Sequence, residues 1–175
     1  FAGEDGVAAV SIIMYLQFLC IGIYFGFSMG LSTPLGYAYG DRNFSVCRVL
    51  EKYAYRFFAI APIILYGCTY LLTPIGVRFF ASPGSTVFNM AVSGMRLYGL
   101  GFLFSGINIF AAIRMMTYGK GYISGMITFL RSFALLLLFL TVLPRFLELN
   151  GIWLAVPAAE ILTLIVALWT LRKKL

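Results

Sequence analysis

The chain has 175 residues, of which 62% are hydrophobic and 11% charged, and its formal net charge is +7. Soluble domains are typically about one quarter charged, so this composition indicates a protein built for the lipid bilayer. The positive charge does not indicate nucleic-acid binding, because the basic residues lie at the ends of apolar segments and form no dense patch. The chain contains no histidine, which excludes His-based metal sites and Ser-His-Asp catalysis. The sequence therefore predicts neither an enzyme, nor a metal site, nor a cofactor.

Five apolar runs are long enough to cross a membrane, at about 20 residues per crossing. They cover residues 7–37, 49–72, 86–116, 122–143 and 151–171. Charged residues or turn residues such as Pro83-Gly84 and Gly119-Lys120-Gly121 separate these runs. We therefore predict an all-α integral membrane protein in which residues 1–175 form a single transmembrane domain of five helices.

The basic residues are distributed unequally between the two sides of the predicted bundle. The positive-inside rule places the side richer in Lys and Arg in the cytoplasm. We therefore expect a multi-pass protein of the inner or plasma membrane, with the start of the chain outside and its end in the cytoplasm. The residues of the richer side are Arg42, Arg48, Lys52, Arg56, Arg114, Lys120, Arg172, Lys173 and Lys174, and those of the other side are Arg78 and Arg145.

The first span carries a glycine at every fourth position, namely Gly22, Gly26 and Gly30. On a helix these glycines form one bare stripe, and in lipid such a stripe allows another helix to approach closely. Pro34 and Gly36 follow, and we expect them to interrupt the helix near its end. The sequence thus predicts a helix-packing surface followed by a hinge.

The same stretch resembles a signature of the multidrug and toxic compound extrusion (MATE) transporters. The resemblance continues in the turn at residues 119–121 and is most specific in residues 150–160, which are similar to the start of the family's twelfth helix. It implies that the chain comprises helices eight to twelve of a longer protein. These helices would be most of a C-terminal six-helix lobe, without its first helix and without the N-terminal lobe. The residues that carry the resemblance in the first span are Gly26-Phe27-Ser28-Met29-Gly30, Pro34, Gly36, Tyr37, Tyr39-Gly40 and Asn43.

The resemblance also implies a function. MATE proteins export amphipathic, often cationic compounds against a proton or sodium gradient, by alternating access between two lobes. We therefore expect a secondary active efflux transporter whose partners are the lipid bilayer, the N-terminal lobe of the same protein and small amphipathic or cationic substrates. Two alternatives stay open. A lipid-linked oligosaccharide or polysaccharide flippase would need several cations around its cavity, and a non-transporting scaffold subunit would have no accessible polar cavity.

Glu160 is the one carboxylate that we place inside an apolar run, and a charge in hydrocarbon is a functional-site hypothesis by default. Arg131 lies in the preceding span. At 1.5 Å per residue, Arg131 lies about 20 Å below the outer end of its helix and Glu160 about 12 Å, a gap that a long Arg side chain can largely close. A pair would join the two helices, whereas an unpaired Glu160 facing a cavity would be a candidate proton site.

Asn108, Gln17 and Tyr37 are further candidates for a substrate or ion path, although polar residues within spans more often tie helices together. Some MATE members carry a cation-binding aspartate in the helix that corresponds to the third span. This chain has Asn108 in that region, which argues against a sodium site in this lobe. Packing or a place in the interfacial aromatic belt is the expected role of each of Tyr24, Tyr37, Tyr39 and Tyr98, but any of them that faced a cavity would offer cation-π contacts to organic cations. Arg96 is expected to extend its side chain towards the outer surface.

Overall fold

The computed structural model describes residues 3–172, and nearly all of these residues are helical. The five helices are α1 (Gly3–Gly40), α2 (Phe44–Val77), α3 (Thr86–Thr117), α4 (Gly121–Val142) and α5 (Pro144–Arg172). Each is long and apolar enough to cross a membrane, so the prediction of five spans is confirmed, with ends extended by up to seven residues. Lys173 and Lys174, which the charge argument used, lie outside the described residues.

Local interactions fix where the helices begin and end. The side chain of Asn43 accepts a hydrogen bond from the Val46 amide, and that of Ser85 accepts one from the Phe88 amide, so α2 and α3 both begin at an N-cap. Gly119 follows the end of α3 with a φ of +72°, the left-handed conformation that ends many helices and favours glycine. The connections are therefore short, and sequential helices run in opposite directions.

Helix α3 is the centre of the bundle. It contacts α1 and α2 on one flank and α5 on the other, while α4 packs mainly on α5 and joins directly to the end of α3. Of the apolar window of α3, 67% is buried, against 6% for α4. The main hydrophobic core lies around α3 and includes Tyr24, Phe58, Phe110 and Trp153.

The two ends of the bundle are named here by the residues that mark them. The Gly3 side carries the start of α1, α3 and α5 and the end of α2 and α4. The Arg172 side carries the opposite ends. Most of the basic residues in the connections lie on the Arg172 side.

The predicted interruption of α1 is wrong. Helix α1 continues through Pro34 and Gly36 to Gly40, because a proline inside a membrane helix removes one backbone hydrogen bond without ending the helix. Gly36 packs against α3, where a β-carbon at this position would lie 3.5 Å from the methyl group of Thr117. The irregular segments lie elsewhere: a 3₁₀ turn at Gly99–Gly101, a π turn at Leu130–Ala134 and a break at Glu148.

The glycine stripe of α1 is not a packing surface within the described residues. At Gly22, Gly26 and Gly30 a β-carbon would meet no atom within 4 Å, and all three residues are exposed. None of the described helices is the partner of the stripe, so its packing against another helix stays a prediction. Spacing shows which face is bare, but not what lies opposite. The close approaches occur at other glycines, where a β-carbon would meet Trp153 at 2.8 Å (Gly94), Phe58 at 2.8 Å (Gly106) and the Leu143 backbone at 2.5 Å (Gly151).

Candidate functional site

An ion pair joins α4 to α5 in the interior of the bundle. The Nε of Arg131 donates to Oε1 of Glu160 at 2.6 Å. The side chain of Glu160 is only 4% exposed and that of Arg131 14%. The pair that the sequence-based depths allowed is therefore present, and its carboxylate is almost completely removed from solvent.

Asn108 holds the other side of this carboxylate. Its Nδ2 donates to Oε2 of Glu160 at 2.7 Å and to the backbone carbonyl of Glu160 at 2.9 Å. Asn108 is fully buried. Both oxygens of Glu160 thus have a donor, one from α4 and one from the central helix α3. Such contacts are what a buried charge requires, because an unpaired charge in a membrane span is costly.

A cavity of 160 Å³ lies beside the ion pair. Helices α1, α3, α4 and α5 all contribute to its wall, and Gln17 on α1 accepts a hydrogen bond from the hydroxyl of Tyr98 on α3. Drug-sized sites usually measure about 300–1,000 Å³, so this cavity has room for an ion or a few water molecules. Its lining comprises Gln17, Tyr98, Arg131, Ser132, Leu136, Val156, Ala159 and Glu160.

The helix irregularities converge on this cavity. Arg131 lies inside the π turn of α4, and Tyr98 immediately precedes the 3₁₀ turn of α3. In α5, Pro157 precedes Glu160 by one turn. Single π turns occur frequently at functional sites, where the altered hydrogen bonding redirects a side chain. Here the π turn carries the cation of the pair itself.

The cavity lies deep in the bundle. Gln17 lies about 21 Å along α1 from Gly3, and Arg131 lies about 17 Å along α4 from Val142, at 1.5 Å per residue. Tyr98 lies about 18 Å along α3 from Thr86 by the same measure. A bilayer has a hydrocarbon core of about 30 Å. All three residues are therefore near its middle, the depth at which transporters commonly bind substrates and ions.

The structure brings together only some of the predicted site residues. Gln17, Arg131 and Glu160 line the cavity, and Asn108 lies behind Glu160. Tyr98 lines it too, although packing was the role expected for each tyrosine. Tyr37 does not line it, because its side chain is 75% exposed on the surface of α1. Two other tyrosines pack within the bundle, since Tyr24 donates to the Phe102 carbonyl and Tyr39 lies against the ring of Tyr118.

A second buried charge cluster lies on the Arg172 side, and sequence reasoning missed it. The Nε of Arg114 on α3 donates to Oε1 of Glu51 on α2, and the hydroxyl of Tyr118 donates to the same oxygen at 2.6 Å. Arg114 Nη1 also reaches the backbone carbonyl of Thr170 on α5, at 3.4 Å. The cluster thus ties three helices together. We expected Glu160 to be the one carboxylate inside a span, but Glu51 is a second one and is also buried.

The hydroxyl of Tyr118 stays a hydrogen-bond donor in this cluster. Burial and, next, the hydrogen bond to Glu51 raise the pKa of Tyr118 above its usual range. Two signals could have revealed the cluster. Glu51 and Arg114 lie at the same side of the bundle, and Arg114 falls among apolar neighbours on α3. Their position near helix ends made them resemble solvated flanking charges instead.

Comparison with known proteins agrees with the helical architecture. The family model described as MatE matches residues 1–143. A search of curated proteins finds no match. Among solved structures, a MATE protein in complex with MaL6 matches with a TM-score of 0.86 and 21% identity over 97% of this chain and 39% of that one.

Two other solved structures are similar in the same way. A MOP superfamily transporter from Pyrococcus furiosus, reported to have a binding pocket of reverse polarity, gives a TM-score of 0.85 and 21% identity over 96% of this chain and 38% of that one. An inward-facing multidrug resistance MATE family transporter gives a TM-score of 0.79 and 20% identity over 93% of this chain and 37% of that one. At such identities the likeness shows the fold, and the chain spans less than two fifths of the length of these proteins.

Proposed function

The chain belongs to the MatE family of membrane transporters, and on that premise we propose that it forms most of the C-terminal lobe of a secondary active efflux transporter. The transporter exchanges small amphipathic or cationic compounds for protons or sodium ions, by alternating access between this lobe and an N-terminal one. The assignment to the C-terminal lobe rests on the sequence resemblance of residues 119–121 and 150–160. The orientation, with the Gly3 side outside, rests on the distribution of basic residues.

One observation carries this proposal: a polar cavity lies at mid-membrane depth beside a buried Arg131–Glu160 pair. A buried ion pair is weak support for stability, because apolar residues of similar volume often serve as well or better. Intramembrane charges are therefore more readily explained by a path for ions or substrates. The cavity gives such a path a space next to the charges.

The geometry suggests how ion binding and conformation are coupled. Glu160 accepts from Arg131 on α4 and from Asn108 on α3. A proton that neutralises Glu160 from the cavity removes the attraction on Arg131. The π turn that carries Arg131 is then free to rearrange, and α4 can shift against α5. An ion that binds one arrangement more tightly than the other shifts the population between them.

The cavity argues against the two alternative functions. A flippase for lipid-linked sugars should show several cations around its cavity, but Arg131 is the one arginine in this lining and Glu160 neutralises it. A scaffold subunit would contain the ion pair without an adjacent polar cavity. Efflux therefore remains the better supported function.

The test is gradient-driven transport by the full-length protein in proteoliposomes. Uptake of a fluorescent organic cation is followed under an imposed pH or sodium gradient, for wild type and for Glu160→Gln. Glu51→Gln is the matched control, because Glu51 is the other buried carboxylate paired with an arginine and lies outside the cavity. We expect uptake to collapse in Glu160→Gln and to persist in Glu51→Gln, each measured on folded protein.

Two results would contradict the proposal. Wild-type uptake that persists in Glu160→Gln would assign the pair a structural role alone. Wild-type protein that takes up no tested cation under either gradient would favour the flippase instead.

A further inference from the structure

Arg96 on α3 carries a charge that is not paired with an acidic side chain among residues 3–172. Arg114 pairs with Glu51 and Arg131 with Glu160, but among residues 3–172 no carboxylate lies within 4 Å of Arg96 on α3. Its guanidinium carbon lies 4.5 Å from the ring centre of Tyr70 on α2. Its Nε is buried and has no hydrogen-bond acceptor. A buried donor without an acceptor is costly, and an unpaired charge in a span marks a functional site by default.

The side chain of Arg96 points towards the Gly3 side. Tyr66 lies level with the backbone of Arg96, because its hydroxyl donates to the Arg96 carbonyl at 3.3 Å. Tyr70 lies one turn further along α2 in the direction of the Gly3 side, and the guanidinium lies over its ring. Side chains of a helix lean towards its N-terminus, which for α3 is the same direction. The outward extension expected of Arg96 therefore agrees with this geometry.

The charged end lies near the edge of the hydrocarbon. If each helix is centred in the bilayer, the α-carbons of Arg96 and Tyr66 lie about 8 Å from the midplane and that of Tyr70 about 14 Å, at 1.5 Å per residue. The hydrocarbon core extends about 15 Å from the midplane. The guanidinium lies over the Tyr70 ring, which leans back towards the start of α2, so the charge lies about 8–14 Å from the midplane and within a few ångström of the headgroup level.

The surface below this charge is apolar and open. Tyr70 is 42% exposed, and on the same face of α2 lie Ile63 and Ile60, which are 67% and 60% exposed. Between them Gly67 has no atom within 4 Å of a β-carbon position. A positive end near the headgroup level above a strip of exposed apolar side chains matches the two parts of a phospholipid.

We propose that Arg96 and Tyr70 form a binding site for the phosphate group of a phospholipid in the leaflet on the Gly3 side. The outer Nη nitrogens of the guanidinium donate charge-assisted hydrogen bonds to the phosphate oxygens, while Nε stays buried. The ring of Tyr70 holds the guanidinium in place by a cation-π contact, and an acyl chain lies along Ile63 and Ile60. The site lies at the α2–α3 seam and is separate from the cavity at Glu160.

The test measures lipid affinity of the purified, delipidated full-length protein by native mass spectrometry. Phosphatidylglycerol is titrated in parallel with diacylglycerol of the same acyl chains, which lacks the phosphate. Arg96→Gln should weaken the first phosphatidylglycerol bound by about tenfold, the effect expected when a charged hydrogen-bond donor is lost. Binding of diacylglycerol should be weaker and the same in both proteins. Arg78→Gln is the matched control, because Arg78 is exposed on the same side of the bundle.

Tyr70→Leu keeps the charge and tests the site independently if Arg96→Gln does not fold. It should weaken phosphatidylglycerol by about threefold, as expected for a cation-π contact near the surface. The proposal fails if a folded Arg96→Gln protein binds phosphatidylglycerol as tightly as wild type. It also fails if diacylglycerol binds as well as phosphatidylglycerol, or if Arg78→Gln has the larger effect. Unchanged lipid affinity with lowered stability would show that a carboxylate elsewhere in the protein pairs with Arg96.

Discussion

The two members of the Arg131–Glu160 pair should differ in what their removal costs. The Glu160 side chain is 4% exposed, whereas Arg131 is 14% exposed and faces the cavity. Arg131→Gln therefore leaves a buried carboxylate with Asn108 as its remaining charge-stabilising donor. Glu160→Gln leaves a cation beside a polar cavity, and the new amide oxygen can still accept from Asn108 or Arg131.

The magnitudes follow from these environments. Removing one partner of a buried ion pair typically costs about 3–5 kcal/mol, so we expect Arg131→Gln to lower the free energy of unfolding by about that amount. Glu160→Gln should cost about 1–2 kcal/mol, the scale of one lost charged hydrogen bond. The double variant should cost less than the sum of the two single variants, because the buried charge is then absent.

Denaturant titration of the full-length protein in detergent micelles measures all four members of this cycle. Arg78→Gln reports the effect of losing an exposed arginine and should change stability by no more than about 0.5 kcal/mol. The reasoning is refuted if Glu160→Gln is as destabilising as Arg131→Gln. A coupling energy near zero would refute it too, since the two side chains would then not interact in the folded protein.

Three further predictions concern packing, the second charge cluster and the surface tyrosine. Gly106→Ala should lower the free energy of unfolding by about 1–3 kcal/mol, because the new methyl group overpacks against Phe58. Gly26→Ala meets no atom and should be neutral or slightly stabilising in the same denaturant titration. Tyr118→Phe should lower the melting temperature, because it removes one buried hydrogen bond to Glu51. Transport per folded molecule should not change, because this hydrogen bond lies far from the cavity. An unchanged melting temperature would contradict this. Tyr37→Leu should leave organic-cation uptake as in wild type, and a collapse of uptake would place Tyr37 on the substrate path.

The features of the fold that depend on hydrophobicity along the chain could be predicted from the sequence. Five long apolar runs separated by charged turns leave little choice for a helical membrane protein, so the number and order of the spans were confirmed. Counting 1.5 Å per residue also brought Arg131 and Glu160 within reach of each other. That inference worked because a helix converts sequence distance into depth almost regardless of its neighbours.

What depends on helix rotation and neighbours could not be predicted in the same way. The stripe of Gly22, Gly26 and Gly30 was correctly recognised as one bare face, yet that face points away from the other described helices. Arg114 was counted among the charges that flank the spans, although it and Glu51 are both buried. The π turn around Arg131 has no signature in residues 130–134, because tertiary contacts decide which carbonyl accepts each hydrogen bond.

Access of water and of the coupling ion to the cavity beside Glu160 is the central claim, and Ser132 offers a direct measurement of it. Ser132 lines the cavity, whereas Thr128 lies one turn away on α4 and does not. In full-length protein whose native cysteines have been replaced, Ser132→Cys and Thr128→Cys are labelled with a water-soluble thiol reagent in proteoliposomes. Labelling should be faster at position 132 than at position 128, because water reaches the cavity that Ser132 lines. Labelling at position 132 that is no faster than at position 128 would contradict this claim.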